Sequence, residues 1–444
     1  MAELPRYDDH SDPFVHDLSD SAAAPPYSPD LNPSEHAFLL SSDSNQSLPT
    51  ILTHPSIDSP ELWRPDACYV YGGSMFSISL GRRLWGMRHP AYGTGATLKA
   101  TLKLDRKCSH VFRITATLQG SASATAMTRG RIASMFERTI VSETASLDMP
   151  TGTDFFPTDA PFTFNLSFPI VVQGTEDILL PPTYGSWAPG FSCEITYALK
   201  IDVYRKGLRR HEGRIIPLQY LPKSWPERAP LRDNLVSANS LVTLRSIRLK
   251  PVWPTSRSEM QADSTIPTVV ITLPALIGTP LSLPSGHALQ LRLAIHAPGA
   301  PALAPLLLQN ASLVLLKRTA VWTDGSSQHG KSGREIVLGR TSSITMDIAT
   351  EGSAVGYFEL RVGRAGEEQS WSVQGVMEVV YLLRINVSAL KGLPTYVHEE
   401  RIHVATEPWG TQAREMLQLG GASAPALGMR NRQMELCPTT STGW

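Results

Sequence analysis

Cysteine is scarce in this chain: four residues in 444, at positions 68, 108, 193 and 437, with no C-x-x-C spacing. That scatter argues against a disulfide framework or a zinc site on paired thiols, and it suits reduced structural thiols. Long apolar runs are missing too. Stretches such as Leu303 to Leu316 are broken by Pro305, Gln309 and Asn310, short of what a membrane-spanning helix needs. The opening Met-Ala-Glu-Leu-Pro-Arg-Tyr-Asp-Asp has neither a basic n-region nor an apolar h-region, so no secretory signal is expected. These absences predict a cytoplasmic protein, in which the Asn-x-Ser sequons at Asn165 and Asn386 would carry no sugar.

An excess of either charge is also absent, because Lys+Arg and Asp+Glu both count 40. Overall charge therefore gives no reason to expect a nucleic-acid partner. Catalytic motifs are missing as well: no G-x-S-x-G elbow occurs, and no paired carboxylates fall at a helical spacing. His398 and His403 flank Glu-Glu-Arg-Ile, one residue too long for H-E-x-x-H and on an expected strand. No enzyme, metal or cofactor is expected.

What is present is proline (35), glycine (32) and 42% hydrophobic residues at only 18% charge, the composition of a turn-rich β protein with enough apolar mass for two cores. The charge is unevenly placed. Residues 1–60 hold ten acidic residues against the single Arg6, a balance of −9 that leaves +9 on the rest. That segment is rich in Ser and Pro with no sustained apolar period, so it is read as a disordered tail. Ser28-Pro29 and Ser59-Pro60 within it are candidate proline-directed phosphorylation sites. Residues 411–444 are expected to be a second, short tail, opening with a helix over Gln412 to Leu419 that Gly-Gly-Ala-Ser-Ala-Pro ends.

Between the tails, period-two alternation dominates. Phe162, Phe164, Leu166 and Phe168 share one face, as do Ile195, Tyr197, Leu199, Ile201 and Val203, and Phe112, Ile114, Ala116 and Leu118. Val269–Leu273, Leu289–Ile295 and Phe358–Val362 repeat the pattern in the second half. One wet face and one buried face mark antiparallel sandwich strands. The segment Glu194–Val203 also aligns without gaps on Glu378–Val387, an offset of 184, with Glu, Tyr, Leu, Ile and Val identical. Both copies continue with Lys-Gly-Leu (from Lys206 and from Lys391) and then His-Glu-x-Arg-Ile (from His211 and from His398). Convergent patterning explains the aliphatic matches but not Tyr, Lys-Gly-Leu and His-Glu-x-Arg-Ile in order. The expectation is therefore a duplicated unit, with sandwiches over residues 61–225 and 226–410.

Phe-Thr-Phe-Asn-Leu-Ser-Phe-Pro-Ile, then Leu-Leu-Pro-Pro-Thr-Tyr at 179–184, then Gly190 and Ile-Thr-Tyr-Ala-Leu-Lys-Ile-Asp-Val together resemble the arrestin N-domain signature. The block covers about residues 160–220, with weaker agreement over 65–160 and 226–410, and its twin ending in Ile402 resembles the C-domain. The resemblance implies an all-β chain of two tandem antiparallel, immunoglobulin-like β-sandwiches of arrestin type. It also implies a non-enzymatic trafficking adaptor that binds cytosolic tails of membrane proteins, with peripheral association at the plasma membrane or endosomes. The α-arrestin branch is the nearest likeness, and its members recruit WW-domain ubiquitin ligases through Pro-Pro-x-Tyr motifs.

Two strings are candidates for that recruitment. Pro181, Pro182 and Tyr184 spell Pro-Pro-x-Tyr, but they also occupy the family's structural Leu-Pro-Pro-Ser-aromatic position, and the buried reading is favoured. Leu393, Pro394 and Tyr396 form a Leu-Pro-x-Tyr variant that takes the place of Arg209 and Arg210 in the first copy, and it is expected to be exposed. Ala24-Pro25-Pro26-Tyr27 is one residue short of the pattern. Arg205, Lys206, Arg209 and Arg210 form the densest basic cluster, a candidate patch for anionic groups or cargo against the blander reading of a solvated hairpin. The alternative to the adaptor is NTP binding: Gly325 to Ser332 matches G-x-x-x-x-G-K-[ST], which requires a helix after Ser332 although a β-like run follows. A sandwich scaffold with no trafficking role is the third reading.

Overall fold

Glu194 to Val203 and Glu378 to Val387, the two copies in the sequence, form the central strands of two sandwiches. The computed structural model describes residues 67–128, 131–147, 152–207, 211–229, 244–253, 266–276, 280–322, 331–341, 344–350, 352–388, 393–418 and 421–429. In the first sandwich, one sheet runs β1 (Cys68–Gly72), β2 (Phe76–Arg82), β4 (Thr97–Leu104), β7 (Pro161–Ser167). The facing sheet runs β3 (Ala91–Tyr92), β10 (Glu212–Tyr220), β9 (Phe191–Arg205), β5 (Val111–Thr128), β6 (Arg131–Leu147), with β8 (Tyr184–Ala188) also on β9.

The second sandwich repeats this wiring and adds two strands that have no counterpart in the first. One sheet runs β11 (Leu244–Arg248), β13 (Thr268–Leu276), β15 (Ala288–His296), β19 (Ser353–Arg361), β18 (Ile344–Thr350). The other runs β12 (Pro251–Val252), β22 (Thr395–Ala405), β21 (Met377–Val387), β16 (Ala311–Trp322), β17 (Lys331–Arg340). β20 (Trp371–Val373) pairs with β21 as β8 pairs with β9, and β14 (Leu281–Pro284) lies parallel to β22 as β3 lies parallel to β10. A short helix, α1 (Leu303–Gln309), precedes β16 and buries Ala304, Leu307 and Leu308.

The duplicated register is stricter than the duplicated sequence. Tyr197 faces Leu218 and Val203 faces Glu212, while Tyr381 faces Ile402 and Val387 faces Tyr396, every partner shifted by the same 184. The two His-Glu-x-Arg-Ile strings lie 187 apart and are therefore not equivalent positions. An odd mismatch turns a strand over, so Ile215 is 67% exposed where Ile402 is 1% exposed. The expected one-face alignment of Phe112 with Ile114 also fails. A bulge between Val111 and Arg113 puts Val111 inside and leaves Phe112 outside. The other alternating runs bury the predicted side, with Ile195, Leu199, Ile201, Ile271, Leu291 and Leu360 all in the cores.

The expected acidic tail, residues 1–60, lies outside the described residues, as do residues 61–66. Of the expected C-terminal tail, residues 411–418 and 421–429 are described: α2 (Gln412–Gln418) forms, and residues 421–429 pack against the first sandwich. Lys223 pairs with Glu415 and Glu407, and Ser224 and Thr406 exchange hydrogen bonds, Ser224 N to Thr406 Oγ1 at 2.9 Å and Thr406 N to Ser224 Oγ at 3.1 Å. Ala426 N donates to Leu221 O at 2.9 Å, and Ala426 and Met429 join Met87, Ala91 and Leu221 in a small separate core. No helix among the described residues is long and apolar enough to cross a membrane.

Candidate functional site

The Pro-Pro-x-Tyr string lies where the two sandwiches meet. Leu180, Pro181 and Pro182 are buried, and Tyr197 Oη donates to Pro181 O at 2.6 Å. Thr183 N donates to Tyr220 O, and Tyr220 N donates back to Thr183 Oγ1, both at 2.8 Å. The prolines thus cap an aromatic group in which Phe168 stacks on Tyr220 at 5.0 Å and packs against Tyr197.

Tyr184 points across the seam. Its ring meets Trp371 edge-on at 5.0 Å, and its hydroxyl hydrogen-bonds Thr319 Oγ1 on β16 at 2.8 Å. Burial pushes its phenol well above the ordinary range. Around it, Val321, Val373, Val376 and Met377 of the second sandwich complete the core of the first. Small inward residues on β5, Ala122, Ala124 and Ala126, are buried on the strand that meets β16.

A buried ion pair sits beside Tyr184. Lys317 Nζ donates to Glu368 Oε2 at 2.9 Å, Tyr381 Oη donates to the same oxygen at 2.7 Å, and Gln369 N donates to Tyr381 Oη at 3.2 Å. Glu368 is fully buried. Burial, and then the neighbouring Glu368 carboxylate, hold the Tyr381 phenol far above its ordinary value. Lys317 Nζ also lies 5.7 Å from the Tyr184 ring centroid. One signal for this cluster was available in the sequence: Lys317 follows Leu313 and Leu315 on the inward parity of β16. Nothing local marked Glu368 or Gln369, which reach the seam from a loop.

Neither candidate WW-docking string is an exposed loop motif. Pro181, Pro182 and Tyr184 offer no free polyproline face, as the structural reading anticipated. Leu393, Pro394 and Tyr396 do not form the exposed loop motif that was expected. Leu393 is half-buried and Pro394 buried, and Tyr396 is 1% exposed with its hydroxyl donating to Pro267 O at 2.5 Å. Burial pushes that phenol up to about 12. Tyr396→Phe is accordingly expected to cost about 1 kcal/mol of stability in urea unfolding through the lost hydrogen bond, with capture by WW domains unchanged. Ala24 to Tyr27 lies outside the described residues.

The basic cluster divides. Arg205 turns inward at 9% exposure, donating from Nε to Ser109 O at 3.0 Å and from Nη1 to Met75 Sδ at 3.3 Å. It is a structural residue and not part of a surface patch. Lys206 is exposed, its ammonium 5.8 Å from the Phe155 ring, and Arg209 and Arg210 lie outside the described residues. Of the Walker-like string, residues 325–330 lie outside the described residues, while Lys331 and Ser332 open β17, pairing with Trp322 and Val321. A strand stands where a phosphate loop needs a helix N-terminus. Among the described residues no group of three or more His, Cys, Asp or Glu side chains could hold a metal, and Cys108 and Cys193 are buried thiols outside any disulfide. No protein-family model matches the chain, and no curated protein matches it in sequence.

Proposed function

We propose that this protein is a non-enzymatic, arrestin-like adaptor whose paired sandwiches bind cytosolic segments of membrane proteins from the cytoplasmic side. The observation that carries the reading is the repeat itself: two units of one wiring and one register, joined through a shared core, an arrangement suited to holding a peptide or loop on a rigid platform. Long outer strands support the same reading, since β6 runs over seventeen residues and ends its sheet. Burial of both Pro-x-Tyr strings moves the reading away from direct ligase recruitment through them. The adaptor would instead reach endocytic or ubiquitylation machinery through other surfaces.

The test is photo-crosslinking in intact cells from two outward positions, Lys99 on β4 and Glu137 on β6. Cytosolic segments of membrane proteins are the expected adducts. Recovery of soluble proteins alone would turn the reading toward a scaffold without a trafficking role. ATP binding by the full-length chain that is lost in Lys331→Ala would replace it with the nucleotide reading.

A further inference from the structure

An apolar row crosses the outer face of the second sandwich and stops at an open edge. Beside Arg401 on β22, Leu382, Leu316 and Val337 stand opposite one another on β21, β16 and β17. Leu382 and Leu316 are buried, whereas Val337, at the end of the row, is 45% exposed. β17 ends its sheet, and among the described residues no backbone hydrogen bond reaches it from the side away from β16. Its outer N–H and C=O groups are open along a strand of ten residues, the condition under which another chain adds to a sheet.

Charge gives that edge a sign. Glu335 is held by Arg318, Nε to Oε1 at 2.9 Å, and by Arg384, Nη2 to Oε2 at 3.0 Å, while Glu399 pairs with both arginines, so these four charges balance. Arg334 and Arg340 remain, three residues to either side of Val337, both exposed and neither in an ion pair with a described residue. Lys331 adds a third positive charge at the start of the strand. β6, the corresponding edge of the first sandwich, carries Glu137 and Glu143 beside Arg131 and Arg138 and has no net sign. A strand laid on β17 therefore meets an aliphatic centre between cations.

We propose that the outer edge of β17 binds an extended acidic peptide of a partner protein by strand addition. The peptide backbone continues the sheet, an aliphatic residue opposite Val337 completes the row, and carboxylates on either side meet Arg334 and Arg340. A second copy of this chain fits less well, because two-fold pairing of β17 on itself about Val337, the register that joins the two apolar rows, sets Arg334 against Arg340. The proposal does not rest on the adaptor reading, since it holds for a soluble partner as well.

Fluorescence anisotropy of the full-length chain with a labelled peptide, acetyl-Asp-Asp-Thr-Val-Val-Val-Thr-Asp-Asp-amide, tests it. The controls are a peptide with Lys in place of each Asp and one N-methylated through its centre, which keeps the side chains and loses the strand hydrogen bonds. The acidic peptide is expected to bind and the other two are not. Arg334→Glu, which reverses a charge, and Val337→Lys, which puts one into the apolar row, are each expected to weaken binding about tenfold or more. Hydrogen exchange is expected to slow at alternate amides of β17 on binding, with those of β6 unchanged. Residues 1–60 are the same in every form compared, so differences between forms isolate the edge. If one variant fails to fold, the other carries the comparison. Equal binding by the Lys or the N-methylated peptide, equal binding to a folded variant, protection that falls on β6 or on no strand, or no binding at millimolar concentration would each overturn the proposal. Concentration-dependent dimerisation that protects β17 without peptide would overturn it too, by making the occupant a second copy.

Discussion

Lys317→Met is expected to destabilise the chain by about 3–5 kcal/mol at neutral pH, because it removes the ammonium that pairs with the buried Glu368 carboxylate. Glu368 is fully buried and Lys317 nearly so, and the Tyr381 hydroxyl also donates to the Glu368 Oε2 atom. One neutral hydrogen bond does not replace an ammonium. The double variant Lys317→Met/Glu368→Leu removes both charges and fills the space with apolar atoms. It is expected to recover most of the loss, with about 1 kcal/mol remaining for the Tyr381 hydroxyl left short of its acceptor. Urea unfolding of the four proteins measures this directly. A single variant costing no more than an exposed pair, about 1 kcal/mol or less, would mean that water reaches Glu368.

That pair also marks what the sequence did not disclose. The strands were legible because one face of each is wet: Ile195 to Val203 alternates without exception, and every inward member is buried. The duplication was legible because a central strand must satisfy neighbours on both sides, which ties Tyr197 and Tyr381 to the same place in each sheet. The His-Glu-x-Arg-Ile match misled because letters carry no register, and a three-residue difference in offset exchanges inside for outside. The Pro-x-Tyr strings misled for a related reason. A docking motif and a buried proline turn use the same residues, and only burial separates them. Lys317 and Glu368 stand 51 positions apart, and no local pattern joins a strand residue to a loop residue across a seam. Helix α1 was hidden inside an apolar stretch interrupted by Pro305, which tolerates the first turn of a helix as readily as a loop.

Gly93→Ala tests how firmly residues 421–429 hold. A Cβ at position 93 would collide with Ser423 O and stand 2.7 Å from Ala424 O. Both are backbone atoms, so no rotamer change relieves the contact and the segment itself must move. Moving it breaks the Ser423 N–Thr94 O and Ala426 N–Leu221 O hydrogen bonds and uncovers Ala426 and Met429. A buried methionine and two backbone hydrogen bonds together put the expected loss at about 2–4 kcal/mol in urea unfolding. The far end is equally tight: Gly428 lies against the Gly366 backbone, where a Cβ would stand 2.8 Å from Gly366 C. The segment therefore touches the first sandwich at Thr94 and Leu221 and the second at Gly366, and it acts as a strap across both. Deleting residues 421–444 should cost about as much as Gly93→Ala, and joining the two changes should add little, because a strap already displaced cannot be displaced again. Hydrogen exchange at the Ala426 amide should rise in the substituted chain while the amides of β9 stay protected. Costs that add in the combined variant would place the Gly93 effect in β3 and its neighbours, independent of the strap.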